Sequence, residues 1–253
     1  MPRPLYVAAG IAAALCLSPA VTHAQTLDDI IAANLKSKGG LQTIKSTTTV
    51  RMAGSVVARD PDGKEMRGTM TMVAKRPNLM RRDATVAGQR MINAFDGTSL
   101  WMAVGTRPPQ EVPGPQAAYA QQDAEFDSVF VDYKEKGHKI ELVGKETVGG
   151  KPAYHLRVTK KGGPPQDFYL DAETGLEKKI SMSLQAPGGG GLAMTNVTEF
   201  SDYRNVDGRL VPFLTRQLQN GTVTATITLD KVEFNVPVED SFFAMPPAKA
   251  LEF

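Results

Sequence analysis

Cysteine is almost absent from this sequence, which has a single one, Cys16, among its 253 residues. Cys16 lies in the apolar run 7–17, which we expect to be removed when the chain is exported. The exported chain would then have no disulfide, no thiol nucleophile and no thiolate ligand for a metal. Such a protein depends on its hydrophobic core alone for stability.

Apolar runs long enough to span a membrane are missing as well. The run 7–17 has 11 residues, too few to cross about 30 Å of hydrocarbon as a helix. Arg3 precedes the run, Pro19 breaks it, and small residues follow at the positions that a signal peptidase reads. This pattern predicts a signal peptide, residues 1–24, cleaved near Ala24–Gln25. No integral membrane span is predicted in the remainder.

The sequence also lacks an excess of either charge. Its 29 Lys and Arg residues face 27 Asp and Glu residues, which leaves a formal net charge of +2. A chain without surplus cations is poorly suited to neutralise many phosphates, so nucleic acid is not predicted as a partner.

Signatures of catalysis and of cofactor binding are missing too. Beyond the signal peptide only His138 and His155 remain, and neither belongs to an HxH or HExxH pattern. No serine stands in a GxSxG setting. The glycine run 188–191 lacks the Lys-Ser/Thr pair and the helix of a phosphate loop. We therefore predict no catalytic residues, no metal site and no cofactor, and a function other than that of an enzyme.

The regular elements are predicted from the period of the apolar residues. One amphipathic helix, Leu27–Leu41, begins with two aspartates and ends at two glycines. Apolar residues then recur at every second position between Gly, Asn and Asp turns, which gives about ten or eleven closely spaced strands. Strands without helices between them pair antiparallel. We expect an α+β, mostly β fold, in which residues 25–253 form one domain around a single curved antiparallel sheet with a few helices on one face.

The middle of the chain interrupts this strand pattern. Four prolines in Gly105–Pro115 argue against a regular element there. Helical spacing returns over Gln116–Lys136, where Tyr119, Phe126 and Phe130 belong to an aromatic-rich stripe. Residues 105–136 fit either a lid over a binding site or a surface connector followed by a packed helix.

Methionine is abundant, with ten residues beyond the signal peptide. Met66, Met70 and Met72 share one face of a predicted strand, which is compatible with an ordinary core. Flexible, polarisable methionines also suit a cavity that repacks around acyl chains, and each CH₂ removed from water contributes about 0.8 kcal/mol. Strand parity alone does not tell which face points inward. The candidate cavity residues are Met70, Met72, Phe95, Trp101, Phe168, Leu170, Met182 and Phe213.

Three motifs suggest a family. The segment 95–101 is a DG-x-x-L-W hairpin, 168–176 is a strand, turn and strand, and 240–247 closes with F-x-x-P-P. In this order they resemble the motifs of LolA-like outer-membrane lipoprotein-sorting proteins, and the chain resembles a divergent member. The resemblance implies an incomplete β-barrel wrapped on helices that cover an apolar cavity. It also implies a periplasmic carrier that moves acyl chains of lipoproteins or lipids towards the outer membrane, between envelope donor and acceptor proteins. It assigns no arginine a role in this chain.

A second class of function stays open. A periplasmic sensor or scaffold with the same fold would bind an envelope protein partner through an exposed apolar patch. An unrecognised hydrolase would instead need an acid–base pair at His155 or at a carboxylate.

Overall fold

The computed structural model describes residues 25–60, 62–114, 117, 121–122, 124–184 and 194–247. Two helices open the described chain, α1 (Leu27–Ser37) and α2 (Leu41–Ser46). Thirteen strands follow, and a 3-10 turn, Asp240–Phe242, comes after the last of them. The strands are β1 (Thr49–Arg59), β2 (Glu65–Lys75), β3 (Leu79–Val86), β4 (Gln89–Phe95), β5 (Leu100–Val104), β6 (Gln110–Glu111), β7 (Lys139–Val148), β8 (Lys151–Thr159), β9 (Pro165–Asp171), β10 (Glu177–Leu184), β11 (Met194–Val206), β12 (Arg209–Gln219) and β13 (Thr222–Phe234).

The first helix begins at the predicted residue because its capping is encoded locally. The Thr26 hydroxyl accepts the backbone N–H of Asp29, and the Asp29 carboxylate accepts the backbone N–H of Thr26, a reciprocal capping box. The predicted helix ends four residues early, since Gly39 and Gly40 adopt φ of +95° and +84° and separate α1 from α2. No helix of the described ranges is long and apolar enough to cross a membrane.

All thirteen strands form one antiparallel sheet in the order β6-β5-β4-β3-β2-β1-β13-β12-β11-β10-β9-β8-β7. The chain makes two meanders, and the pairing of β1 with β13 joins them, with Met52 opposite Val232. The sheet is not closed into a barrel, because β6 and β7 stand at its two edges. The expected mostly β fold with one open, curved antiparallel sheet is therefore confirmed. The strand count exceeds the predicted one, and β6 lies in the proline-rich segment where no regular element was expected.

One face of the sheet, here called the helix face, carries the main hydrophobic core. Ile30 and Ile31 of α1 and Val129 and Phe130 of the middle segment pack there on strands β7 to β10. Phe130 meets the ring of Phe168 edge-on, with 5.4 Å between ring centroids. The core of this half is thus filled by the protein's own side chains.

The turn between β9 and β10 docks α1 on this face. The Asp171 carboxylate accepts the backbone N–H groups of Glu173 and Thr174 at 3.1 and 3.0 Å, which fixes the turn. The turn ends at Gly175, whose carbonyl accepts a hydrogen bond of 2.8 Å from the buried Asn34 side chain of α1. A Cβ on Gly175 would lie 2.9 Å from the Ala33 carbonyl carbon, so only glycine lets the helix approach this closely.

The C-terminal segment 238–245 covers part of the opposite face, here called the tail face. Phe243 is fully buried there against Val73 and Leu79. Its carbonyl accepts a hydrogen bond of 2.7 Å from Trp101 Nε1. The first and third motifs of the sequence therefore pack on each other, and their role in the structure is to hold the end of the chain on the sheet.

The predicted helix over 116–136 is only partly confirmed, because residues 117, 121 and 122 are helical but the part from residue 124 onwards is not. Residues 124–138 form a series of turns, in which Val131 N–H donates to the Ser128 carbonyl and Gly137 N–H to the Lys134 carbonyl. Asp132 and Gly137 adopt φ of +50° and +73°, which interrupts helical propagation. Val129 and Phe130 do pack in the core, but the spacing of the apolar residues in this part reflects turns rather than a helix. Tyr119 lies outside the described residues.

Candidate ligand-binding crevice

The methionines of the strands all lie on one face of the sheet. Met52 of β1 pairs with Met72 of β2, and Met70 is linked through Ala84 to Met91. Following this register across the whole sheet places all nine strand methionines on the helix face. They are Met52, Met66, Met70, Met72, Met80, Met91, Met102, Met182 and Met194. The predicted common face of Met66, Met70 and Met72 is confirmed, and it extends well beyond their own strand.

An apolar cavity of about 250 Å³ lies between this face and α2. Three adjacent strands form its floor, because β13 pairs with both β1 and β12. Apolar side chains dominate its lining: Ile44, Val50, Met52, Phe126, Leu210, Val211, Pro212 and Phe234. Lys38, Thr47, Asp127 and Arg209 supply its charged and polar rim.

A second compartment of about 350 Å³ continues from the first, and the two share Lys38, Asp127, Ser128 and Pro212. Phe168, Ile180 and Phe200 line its sheet side, whereas Glu125, Lys160 and Glu177 make it more polar. We call the two compartments together the helix-face crevice. It is apolar at one end and charged at the other, as a site for an amphiphile would be.

The polar groups at the second compartment are largely paired with each other. Lys38 of the rim forms a partly buried ion pair with Glu177. Tyr203 donates its hydroxyl hydrogen to the Glu177 carbonyl at 2.7 Å. Burial raises the pKa of Tyr203, so the phenol stays protonated and remains a donor. These contacts keep Glu177 in place beside the crevice.

Arg76 links the sheet to α2 and to the segment 126–128, which border the crevice. Its guanidinium binds both carboxylate oxygens of Asp127 at 2.6 Å and also donates to the carbonyls of Ile44 and Thr47. It lies 4.8 Å from the ring centroid of Phe126. One side chain thus joins α2, the end of β2 and the segment 126–128, and it engages both oxygens of the Asp127 carboxylate.

The sequence-predicted site residues separate into three groups. Met70, Met72, Phe95, Met182 and Phe213 lie on the helix face. Phe168 borders the second compartment, while Leu170 is fully buried in the core cluster beneath α1. Trp101 lies on the tail face, because it pairs with Ala94 and hence stands on the opposite side of the sheet from Phe95.

Several residues of the crevice were not predicted from the sequence. Val50 and Phe234 belong to strands far apart in the sequence that pair directly, and Ile44 comes from the short helix α2. The alternation in β1 marks Val50 and Met52 as one face. It contains no signal that β12, β13 and α2 surround them.

Neither histidine lines the crevice, although His138 Nε2 lies 3.6 Å from Oε2 of Glu125 in the second compartment. His155 is held between two carboxylates on the tail face, with Nδ1 2.8 Å from Glu146 Oε1 and Nε2 2.8 Å from Asp167 Oδ1. Its ring stacks on Tyr169 with centroids 4.6 Å apart. Nδ1 of His138 accepts a hydrogen bond from the backbone N–H of Lys161 at 3.1 Å. Within the described ranges, no group of three or more His, Cys, Asp or Glu side chains is arranged so that it could hold a metal ion.

Comparison with known proteins identifies the fold. No family model matches the chain, and no curated protein matches its sequence. A LolA superfamily protein from Nitrosomonas europaea superposes with a TM-score of 0.57 at 13% identity, covering 87% of this chain and 98% of that one. A DUF1329 family protein from Desulfovibrio piger gives 0.58 at 13% identity, with 86% and 96% covered. A domain named for outer membrane lipoprotein sorting, from Vibrio parahaemolyticus, gives 0.51 at 11% identity, with 80% and 93% covered. The LolA-like fold expected from the three motifs is confirmed.

Proposed function

We propose that this protein is a periplasmic carrier, which binds acyl chains of lipoproteins or lipids in the helix-face crevice and moves them towards the outer membrane. Residues 1–24 would act as its signal peptide and residues 25–253 as its single binding domain. The observation that carries the proposal is the apolar cavity between α2 and the methionine-bearing face of the sheet.

The lining of the cavity favours hydrocarbon over a polar ligand. Its lining is mostly aliphatic, aromatic and methionine side chains, and polar side chains are the minority. Each CH₂ group moved from water into such a site contributes about 0.8 kcal/mol, so a chain of eight carbons would contribute about 6 kcal/mol before entropic costs. An acyl chain therefore needs no specific polar recognition to bind here.

The methionine face offers a path for a chain longer than the cavity. Met52 of the cavity wall is paired with Met72, and Met70 stands two residues further along β2. Unbranched thioether side chains adapt their shape to the ligand, which suits a carrier of chains that differ in length. We keep Met70, Met72, Phe95, Phe168, Met182 and Phe213 in the proposed binding surface and leave out Trp101 and Leu170.

The fold supports the same proposal at a coarser level. One of the similar structures is named for outer membrane lipoprotein sorting, and another is named as a LolA superfamily protein. A fold alone does not define a function. The weight of the proposal therefore rests on the crevice and its apolar lining.

The test is a titration of the exported chain, freed of lipid, with a fluorescent fatty-acid analogue, a lysophospholipid and a diacylated lipopeptide. Met52→Asp places a carboxylate in the cavity wall. We expect it to weaken binding at least tenfold, because a bound acyl chain would remove water from the new charge. Met194→Asp is the matched control, since Met194 lies on the same face, is 43% exposed and does not line the cavity.

Equal loss of binding in both variants would place the ligand elsewhere on the helix face. Wild-type protein that rejects all three probes would contradict the carrier proposal and favour the binding of an envelope protein partner. Native mass spectrometry of protein purified without detergent adds an independent readout, because a carrier should retain a lipid or an acylated peptide.

A further inference from the structure

One cation at the rim of the apolar cavity has no anionic partner in the part of the chain that the structure describes. Arg209 lines the cavity, yet its guanidinium forms no ion pair with any carboxylate of the described residues. It donates to the Thr47 hydroxyl at 2.9 Å and to the Asp207 carbonyl at 3.0 Å, and it lies 4.3 Å from the Phe234 ring centroid. Its Nε is buried and has no hydrogen-bond acceptor. A buried donor of a charged group without an acceptor is costly, so Arg209 would gain stability from an oxygen acceptor brought within reach of Nε.

The surroundings hold Arg209 in place. Its Cγ would lie 3.1 Å from a Cβ on Gly39, so the glycine break after α1 leaves space for the arginine stem. The stacking on Phe234 and the bond to Thr47 orient the planar guanidinium. A positioned guanidinium has a donor geometry that matches two oxygens of a carboxylate or a phosphate.

The neighbouring charges do not satisfy Arg209. Asp127, on the same rim, gives both carboxylate oxygens to Arg76. Lys38, the other cation of the rim, is paired with Glu177. Arg209 is therefore the charge at the cavity rim that the described residues leave uncompensated.

We propose that Arg209 is the headgroup anchor of the crevice, and that the cargo is an anionic amphiphile. Its acyl chain occupies the apolar cavity, and its carboxylate or phosphate oxygens accept hydrogen bonds from the guanidinium. The inference rests on the carrier function proposed above and adds the chemical class of the cargo to it.

The experiment compares ligands with one chain and different headgroups. Dodecanoate, dodecyl phosphate and dodecanol are titrated at pH 8 into the lipid-free exported chain, together with inorganic phosphate alone. We expect at least one of the two acids to bind about tenfold or more tightly than the alcohol, the size expected for a hydrogen bond to a charged group. Inorganic phosphate should bind far more weakly, since it gains nothing from the apolar cavity.

Variants of Arg209 test whether this side chain causes the tighter binding of the acids. Arg209→Met keeps an unbranched apolar stem and removes the guanidinium with its charge, and it should lower acid binding to the level of the alcohol. Arg209→Lys should keep part of the preference and guards against a simple folding defect, which thermal unfolding of both variants would reveal. Arg216→Met is the control, because Arg216 lies on the tail face and is exposed and paired with Glu199.

The outcomes separate the two proposals. If none of the three amphiphiles binds, the carrier function itself fails. If acid and alcohol bind equally well and Arg209→Met changes neither, the carrier stands and the headgroup anchor is refuted. Inorganic phosphate that binds as tightly as dodecyl phosphate would also overturn the inference, since the site would then recognise free anions rather than amphiphiles.

Discussion

Substitution of Trp101 should lower the stability of the protein without changing its binding of ligand. Its indole is fully buried on the tail face, and Nε1 donates to the Phe243 carbonyl at 2.7 Å. Trp101→Phe removes this donor and leaves a buried carbonyl without its partner, which costs about 1–3 kcal/mol. The smaller ring adds a cavity, which brings the expected loss in the free energy of unfolding to about 2–4 kcal/mol.

This loss should lower the unfolding midpoint by about 5–15 °C for a domain of this size, as followed by circular dichroism. Binding of the fluorescent fatty-acid analogue should be unchanged below that midpoint, because Trp101 and the crevice lie on opposite faces of the sheet. A folded Trp101→Phe protein that no longer binds the analogue would refute the assignment of the faces. An unfolding midpoint within 1–2 °C of the wild type would instead refute the contact with Phe243.

Two further predictions concern the sheet itself. Gly68→Ala should lower the free energy of unfolding in denaturant by about 3 kcal/mol or more, because the new Cβ would collide with the Thr85 carbonyl and lie 2.7 Å from Val86 Cα. The control is Thr69→Ala at the exposed neighbouring position, which should change the free energy of unfolding little. Equal effects of the two variants would contradict this explanation. Burial alone would raise the pKa of Asp171, but hydrogen bonds from backbone N–H groups outweigh burial and lower that pKa. The ionised carboxylate therefore stabilises the fold above about pH 4, and this stability is lost as the pH falls through the folded-state pKa. Asp171→Asn should therefore lower the unfolding midpoint at pH 7 and approach the wild type at pH 2–3, and a difference that does not change with pH would contradict this reasoning.

The sequence predicted the sheet well because local chemistry determines most of it. Period-two patterns and Gly, Asn and Asp turns locate the strands, and neighbouring strands in a meander pair without further information. The segment 124–138 was mispredicted for the converse reason. Apolar spacing of three and four residues fits successive turns as well as a helix, and the left-handed Asp132 that breaks the helix has no clear sequence signal.

The site was only partly predictable, since a cavity depends on contacts that a single strand does not encode. The alternation in β2 correctly groups Met70 with Met72. The sequence around Asp96 and Gly97 contains no signal that Phe95 faces the helices and that Trp101 faces the C-terminal segment. That distinction depends on the packing of segment 238–245, which follows more than a hundred residues later in the chain.

The three motifs that carry the family resemblance all serve the architecture. The first and third meet where Trp101 binds Phe243, and the second places Gly175 against α1. None of them supplies Met52 or Arg209 of the cavity wall and rim. In this chain the motifs therefore bear on the fold and not on the lining of the crevice. The chemical class of the proposed cargo therefore has to be argued from the crevice, where Arg209 has no ion-pair partner among the described residues.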